Sequence, residues 1–389
     1  MIPILSFFTG AGLLDLGMHN AGFDVIWRNE FNLSFVKGFQ TGMSSHLGVN
    51  SSDISVNTES INHLTTYKIR NEAFSSKVWP SVFGVVGGPP CPDFSTGGKN
   101  KGESGDNGRL TGVYFDHLLG LKPSFFIFEN VKGILSTEKH RKYLTKQLHK
   151  IKTEYVFDIK LMNSLDIGVP QDRERVIILG VHKSFVSDFL PATDIQKIKR
   201  RNQSMLKKQL HHKEIVKLNW FKWPYNKKFH AAKKRFLWPT THPFQSIHEK
   251  PKDIPLELCV WNYIHDLNGL NNQDEFFRPK SDKFSIVDEG DVSRKSFKRL
   301  HRWRYSPTVA YGNNEVHLHP FEARRLSVRE AMRLQTIPDT YNLPREMTLS
   351  DKFKTIGNGV PVKLAEALAI KLFGVFYNNE DILGAECEL

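Results

Sequence analysis

One stretch constrains the fold more than any other. Ser81-Val82-Phe83-Gly84-Val85-Val86, an apolar run rich in β-branched and aromatic residues, stops abruptly at Gly87-Gly88-Pro89-Pro90-Cys91-Pro92-Asp93-Phe94-Ser95. The run reads as a fully buried strand. Two glycines and two prolines end it in a tight, stiff loop. That loop sets a thiol at the carboxyl end of a core strand, where open α/β sheets hold their ligands. A lone cysteine is more often a small buried hydrophobe, so its meaning depends on what converges with it.

Two further runs end in chemistry-bearing residues. Phe125-Phe126-Ile127-Phe128 leads into Glu129-Asn130-Val131, which puts a carboxylate and an amide at the mouth of a second core strand. Gln171-Asp172-Arg173-Glu174-Arg175 precedes the apolar Val176 to Gly180, so two arginines stand at the start of another. At the amino end, Ile2 to Phe8 is followed by Thr9-Gly10-Ala11-Gly12 and an apolar helical stretch through Leu13, Leu14, Leu16, Met18 and Ala21. Strand, glycine turn and helix is the arrangement that lets backbone approach a nucleotide. Val25-Ile26-Trp27 then reads as a strand ending at Glu30, an acid suited to ribose hydroxyls. Asp15 occupies the place of the third glycine of the dinucleotide fingerprint, which disfavours a dehydrogenase.

The charge is localised. Between residues 195 and 240 lie fourteen basic residues (Lys197, Lys199, Arg200, Arg201, Lys207, Lys208, Lys213, Lys217, Lys222, Lys227, Lys228, Lys233, Lys234 and Arg235) and one acid, Glu214. This window matches the +13 of the whole 389-residue chain and leaves the remainder balanced. Such a zone suits a polyanion, above all nucleic acid, although charge runs also occur as plain solvated surface. Trp220, Phe221, Trp223, Tyr225, Phe229, Phe236 and Trp238 are threaded through it. They suit either stacking on bases and sugars or a small second core, the latter for more than half of them. Residues 96 to 112, rich in Gly, Lys, Asn and Ser, read as either a disordered segment or a mobile lid that closes over substrate.

Three cysteines (Cys91, Cys259, Cys387) without a Cys-x-x-Cys pair give neither a disulfide framework nor a zinc signature, and no metal is expected. The amino terminus reads as a strand rather than a signal peptide, and no long apolar stretch spans a membrane, so a cytoplasmic protein is expected. Later, Ser327 and Glu330 form a capping box for a helix from Val328 to Gln335. A final apolar helix is expected over 361 to 373.

Pro90-Cys91, Glu129-Asn130-Val131 and Gln171-x-Arg173-x-Arg175, in this order, resemble the cytosine carbon-5 DNA methyltransferases. Phe8-x-Gly10-x-Gly12 matches that family's cofactor loop, and Gly357-Asn358-Gly359-Val360-Pro361 its last motif. Arg325 to Gln335 is similar to the block that follows its recognition region. The resemblance spans both ends and leaves about 185 to 300 uncovered.

It implies a Rossmann-like class I S-adenosylmethionine-dependent methyltransferase domain, α/β with a mostly parallel sheet, plus a smaller irregular target-recognition domain. The expected division is 1–184 catalytic, 185–302 recognition, and 303–389 returning to close the cofactor pocket. The implied reaction is methyl transfer from S-adenosylmethionine to carbon 5 of a flipped-out cytosine in duplex DNA, leaving S-adenosylhomocysteine. Cys91 is the implied nucleophile, with Glu129, Asn130, Arg173 and Arg175 around the base. Phe8, Gly10, Gly12, Leu13, Glu30, Phe31, Asp53, Ile54, Gly88, Pro90, Val113, Asn358 and Val360 are the implied cofactor contacts. DNA is expected to meet residues 195–240 and the 96–112 lid. The family commonly has glutamine after the cysteine, where this chain has Pro92, which lacks both a side-chain and a backbone donor.

The implied setting is a monomeric bacterial modification enzyme at the nucleoid, with a cognate restriction endonuclease acting on the same site. A transfer-RNA methyltransferase with the same catalytic set stays open as an alternative. So do an inactive DNA-binding relative and, last, a cysteine hydrolase, which would need a histidine beside the thiol.

Overall fold

The computed structural model describes residues 1–74, 79–90, 106–188, 190–211, 215, 220–294, 296–308 and 317–377. Eight strands are present among them: β1 Ile2–Phe7, β2 Phe23–Asn29, β3 Gly84–Gly87, β4 Phe125–Val131, β5 Tyr155–Asn163, β6 Gln171–Asp172, β7 Glu174–His182 and β8 Ser306–Pro307. Six form one sheet in the order β2-β1-β3-β4-β7-β5, and β6 pairs with β8. Neighbours β2, β1, β3 and β4 are parallel, whereas β7 is antiparallel to both β4 and β5, so β7 alone is reversed. The sheet is therefore mostly parallel, and its strands are apolar on both faces, as such sheets require.

Alternation along the strands divides the core in two. Leu5, Phe7, Val85, Phe126 and Phe128 face one side, packed with residues of α4 (Asp106–Leu121) and α5 (Glu138–Ile151). Ile4, Val86, Phe125, Ile127 and Ile177 face the other, packed with the last helix, Val362–Tyr377. That helix also lies against α1 (Leu13–Asn20), where Gly17 leaves room for Ala365. The helix after β1 and the last described helix thus pack together in one layer.

Several elements differ from the sequence expectation. Helix α4 begins at Asp106, so residues 106–112 of the expected lid are its first turns, while 96–105 lie outside the described residues. Glu129 and Asn130 lie within β4 rather than beyond it, because the strand runs longer than its apolar core, whereas Arg175 stands at the start of β7 as expected.

The segment expected to open the recognition domain instead finishes the sheet. Helix α7 (Ala192–Lys207) buries Ile198, Met205 and Leu206, and its Asn202 covers the free edge of β5. Asn202 Nδ2 donates to the Phe157 carbonyl at 2.8 Å, and its Oδ1 accepts from the Phe157 N–H at 3.3 Å. The outward-facing groups of Phe157 are thereby withdrawn from pairing with another strand. Arg201, counted in the basic zone, lies against Asp158 of β5 at 2.7 Å, and the same carboxylate accepts from Phe221 N and Trp223 Nε1. Trp220, Phe221 and Trp223 accordingly pack into the sheet's own core.

From Tyr225 onward the chain is irregular, with short helices and small apolar clusters. Phe229, Phe236 and Trp238 form one of these with Leu165, Leu258 and Tyr305. The capping box is formed, with both of its reciprocal bonds, at the helix Val328–Leu334.

Candidate active site

Strand register builds the site. Phe7 pairs with Gly87, Gly87 with Phe128, and Phe7 on its other side with Asn29. The next residue of each strand therefore falls in one row across the carboxyl edge: Glu30, Phe8, Gly88 and Glu129. Connections from β1 and β3 leave toward opposite sides, which makes this the switch point where a doubly wound sheet opens a crevice.

The first half of the row is a glycine turn held by a carboxylate. Gly10 (φ 57°) and Gly12 (φ 67°) take left-handed conformations, and Phe8 shares it at φ 58°. Gly12 opens α1, and a Cβ there would lie 2.2 Å from the Phe39 ring. Glu30 accepts from Gly10 N at 2.9 Å and from Asn32 N at 2.8 Å. Burial pushes its carboxyl above the usual range, and the N–H groups of Asn32, Gly10 and Phe31 oppose this. Beside it Phe31 and Leu33 hold large apolar side chains in solvent, 69% and 68% exposed.

Beneath the turn is a network the sequence did not announce. Asp15 accepts from Ser6 Oγ at 2.6 Å and faces Arg28 Nε at 3.6 Å, and Thr9 Oγ1 donates to Ser6 Oγ at 3.1 Å. The residue that replaces the fingerprint's third glycine thus braces the loop from inside. Tyr341, nearly at the far end of the chain, donates to the Ala11 carbonyl at 2.6 Å across the space left by Gly42.

The second half of the row carries the acid. Arg175 stands opposite Val131 on β7, hence diagonally across the same face from Glu129. Its Nε lies 2.8 Å from Glu129 Oε1, with only 9% and 10% of the two side chains exposed. Burial raises the Glu129 carboxyl above its ordinary range, against the pull of Arg175 and Arg173. Gly88 faces this carboxylate so closely that a Cβ would lie 2.6 Å from Oε2. Asn130 Nδ2 donates to the Pro89 carbonyl at 3.3 Å and ties the loop to β4. Pro90 is exposed at its end. Cys91 follows and lies outside the described residues.

Arg173, implied beside the target base, acts with its charge on the Glu129 carboxyl. Its Nη2 donates at 2.8 Å to the carbonyls of both Gly357 and Gly359, the turn between helix Leu349–Asn358 and the last helix. Leu13, expected at the cofactor, is buried, and its side chain fills the space that a Cβ on Gly359 would need. Val360 is buried behind the same turn, whereas Asn358 is exposed. Ile54 is buried and its carbonyl accepts from Gln40 Nε2. Asp53 is exposed, and its Oδ1 accepts from Ser52 Oγ at 3.4 Å. Val113 is half-buried on α4, packed into the core.

A family model for C-5 cytosine-specific DNA methylases matches residues 2–374. The chain belongs to that family. As such it is a DNA (cytosine-5-)-methyltransferase. It is 40% identical over 388 residues to the Type II methyltransferase M.NmeDI of Neisseria meningitidis serogroup C, covering 97% of this chain and 84% of that one. It is 28% identical to the Type II methyltransferase M.FnuDI of Fusobacterium nucleatum, covering 98% and 97%. Among solved structures, a DNA modification methyltransferase encoded within an E. coli prophage superposes with a TM-score of 0.62 at 21% identity, covering 97% and 99%. The DNMT2 of Spodoptera frugiperda gives 0.57 at 15%, covering 96% and 100%. These two show the fold.

Proposed function

We propose that the enzyme is the modification methyltransferase of a Type II restriction-modification system, with Cys91 as nucleophile and Glu129 as proton donor. The observation that carries this is the buried Arg175–Glu129 pair against Gly88, three residues before Cys91 on a loop pinned by Asn130. A carboxyl raised by burial can hold a proton that a nearby guanidinium can help it release.

The reaction needs such a group. Carbon 5 of cytosine is not nucleophilic until a thiolate adds to carbon 6. As the Cys91 sulfur forms that bond, electron density moves toward ring nitrogen 3, and Glu129 delivers its proton there. The resulting enamine makes carbon 5 nucleophilic. Bound S-adenosylmethionine supplies an electrophilic methyl group to that carbon. Loss of the carbon-5 proton to a base then expels the Cys91 thiolate, and Glu129 recovers its proton from nitrogen 3. Arg175 orients Glu129 throughout. Arg173 acts as a positioning residue, holding the turn at Gly357 and Gly359 against the catalytic strands.

Cofactor binding falls to the other half of the row. Glu30 keeps lone pairs for ribose hydroxyls, Phe31 offers an exposed apolar face to an adenine, and the Phe8 to Gly12 turn lets backbone approach the amino-acid end. Ile54, Gly88, Pro90, Val113 and Val360 wall the same crevice. Asp53 and Asn358 reach it from its rim.

A stacked base cannot reach this crevice, so the target cytosine leaves the duplex. We assign duplex binding to the exposed basic residues of the 195–240 zone, a set that excludes Arg201, and to residues 96–112. No helix among the described residues is long and apolar enough to cross a membrane. We place the enzyme as a monomer on nucleoid DNA in a bacterial cytoplasm, paired with a nuclease of the same specificity.

The test is transfer of tritiated methyl from S-adenosylmethionine to mixed-sequence duplex DNA and, separately, to total RNA, with nucleoside analysis. Label as 5-methylcytosine in duplex DNA is expected. Label confined to RNA would move the enzyme to the transfer-RNA alternative.

A further inference from the structure

The irregular region carries three histidines that the methyl-transfer chemistry does not use. His242, His248 and His301 offer ring nitrogens that all lie within 4.8 Å of one another. They come from separate turns of chain, so no short spacing marks them in the sequence. His301 Nε2 and His242 Nδ1 are 3.0 Å apart. Two imidazole nitrogens on a tetrahedral zinc, at bond lengths of about 2.0–2.1 Å, stand roughly 3.3 Å apart. The rings of His248 and His301 are 5.0 Å apart and crossed at 61°, those of His242 and His301 5.1 Å and 66°.

The surroundings are built to hold this cluster. His242 and Glu289 exchange backbone hydrogen bonds at 2.9 Å in both directions. Glu289 is fully buried, fixed by Arg302 Nε and Nη2 and by the Arg302 N–H. Its Oε1 lies 3.6 Å from His248 Nε2 and 3.9 Å from His301 Nδ1. A buried carboxylate behind metal-binding imidazoles is the usual outer partner, because it fixes the tautomer by accepting from the nitrogen that does not bind. Trp303 Nε1 donates to the His248 carbonyl and closes the other side. Both ring nitrogens of His248 are shielded from solvent, and neither reaches a hydrogen-bond partner at normal geometry. A buried polar nitrogen left so is costly unless something else engages it.

We propose that His242, His248 and His301 form a site for a divalent transition-metal cation, zinc in the cell, which staples the recognition region together. The region has a use for one. Its own apolar clusters are small, such as Phe284, Val287 and Leu318, and its helices are one turn long. Small units of this kind commonly rely on a metal where core is short. Three neutral imidazoles suit zinc, copper or nickel rather than magnesium or calcium, and a water completes four-coordination.

Loading has a stated structural consequence. The rings of His242 and His248, now parallel at 4.1 Å and 5°, turn apart about χ2 so that their lone pairs converge. His301 gives Nε2 to the metal and carries its proton on Nδ1. That nitrogen now accepts from the Trp303 N–H at 3.0 Å, and it turns to donate to Glu289 instead. Trp303 is therefore a reporter of loading.

The experiment uses the full chain with any affinity tag removed. Elemental analysis after dialysis is expected to find roughly one zinc per chain, falling to background in His248→Ala. Chelator-treated protein titrated with Co2+ is expected to develop visible d–d bands of tetrahedral intensity together with a change in Trp303 emission. Zn2+ is expected to raise its unfolding temperature, with neither response in His248→Ala. S-adenosylmethionine affinity, equal in both proteins, confirms that the variant folds. Zinc at background in the wild type, with no Co2+ bands and no Zn2+-dependent stabilisation, overturns the proposal and leaves a hydrogen-bonded histidine stack.

Discussion

The buried Arg175–Glu129 pair makes a prediction whose size and sign can both be worked out. Arg175→Met removes the charge from one side of a 2.8 Å contact in which about a tenth of each side chain is exposed. Breaking a buried pair in this way costs about 3–5 kcal/mol while the surviving partner stays ionised. Once Glu129 is protonated, the loss shrinks to that of one hydrogen bond, about 1–3 kcal/mol.

The pH dependence follows from the direction of the Glu129 shift. Its carboxyl is raised in the folded state, chiefly by burial, with Arg175 the largest opposing influence. A raised acid contributes stability that is complete below its unfolded value and is lost as pH rises through its folded value. Removing Arg175 raises the folded value further, so the variant binds its proton over a wider range and loses stability faster as pH increases. Its deficit against wild type should therefore be smallest at the acid end of the range in which the protein stays folded and grow by about 2 kcal/mol as pH rises. Urea unfolding across that range measures it, and adding Glu129→Gln should recover most of the high-pH loss through a coupling energy that the double-mutant cycle isolates. A deficit that is flat with pH, and not recovered by Glu129→Gln, would show that Arg175 acts through packing and that Glu129 is not held as described.

Other outcomes are expected elsewhere. Arg173→Met should weaken S-adenosylmethionine binding about tenfold by calorimetry, since the Gly357 and Gly359 carbonyls lose a charged donor; unchanged affinity would mean that the turn holds its place unaided. Gly88→Ala should abolish methyl transfer, because its Cβ would lie 2.6 Å from Glu129 Oε2 and displace it; normal turnover would show that Glu129 can move without consequence. Ser327→Ala should cost about 1 kcal/mol in unfolding free energy through loss of the capping box. Lys234→Ala, on an exposed short helix, should reduce the slope of log affinity against log salt for duplex DNA by about 0.9; an unchanged slope would place that surface away from phosphate.

What the sequence made legible was whatever depends on local pattern. Apolar runs ending in glycine, proline or a carboxylate located β1, β3 and β4, and the offset from Ser327 to Glu330 located a capped helix. Long-range pairings were not legible, because nothing in a linear pattern reports which distant groups meet. Tyr341 reaches the Ala11 carbonyl from 330 residues away. Arg173 lies two residues from Arg175, yet strand alternation is interrupted between β6 and β7, and its guanidinium serves a turn 184 residues on. Charge counting misled for a similar reason. Arg201 adds to the basic zone in sequence but is consumed by Asp158 in the fold, and Lys233 pairs with Asp172 at 2.6 Å. The aromatics near Trp220 suited either stacking or a small second core, because composition cannot tell a stacking face from the outer layer of a core.

The most direct test of the account is a covalent trap. Duplex DNA carrying 5-fluorocytosine in place of cytosine, incubated with the enzyme and S-adenosylmethionine, allows thiol addition and methylation but has no carbon-5 proton to lose. The account predicts a denaturation-resistant protein–DNA adduct that needs the cofactor, maps to the peptide bearing Cys91 and is missing from Cys91→Ala. An adduct on Cys259 or Cys387, or 5-methylcytosine formed at normal rate by Cys91→Ala on ordinary duplex DNA, would contradict it.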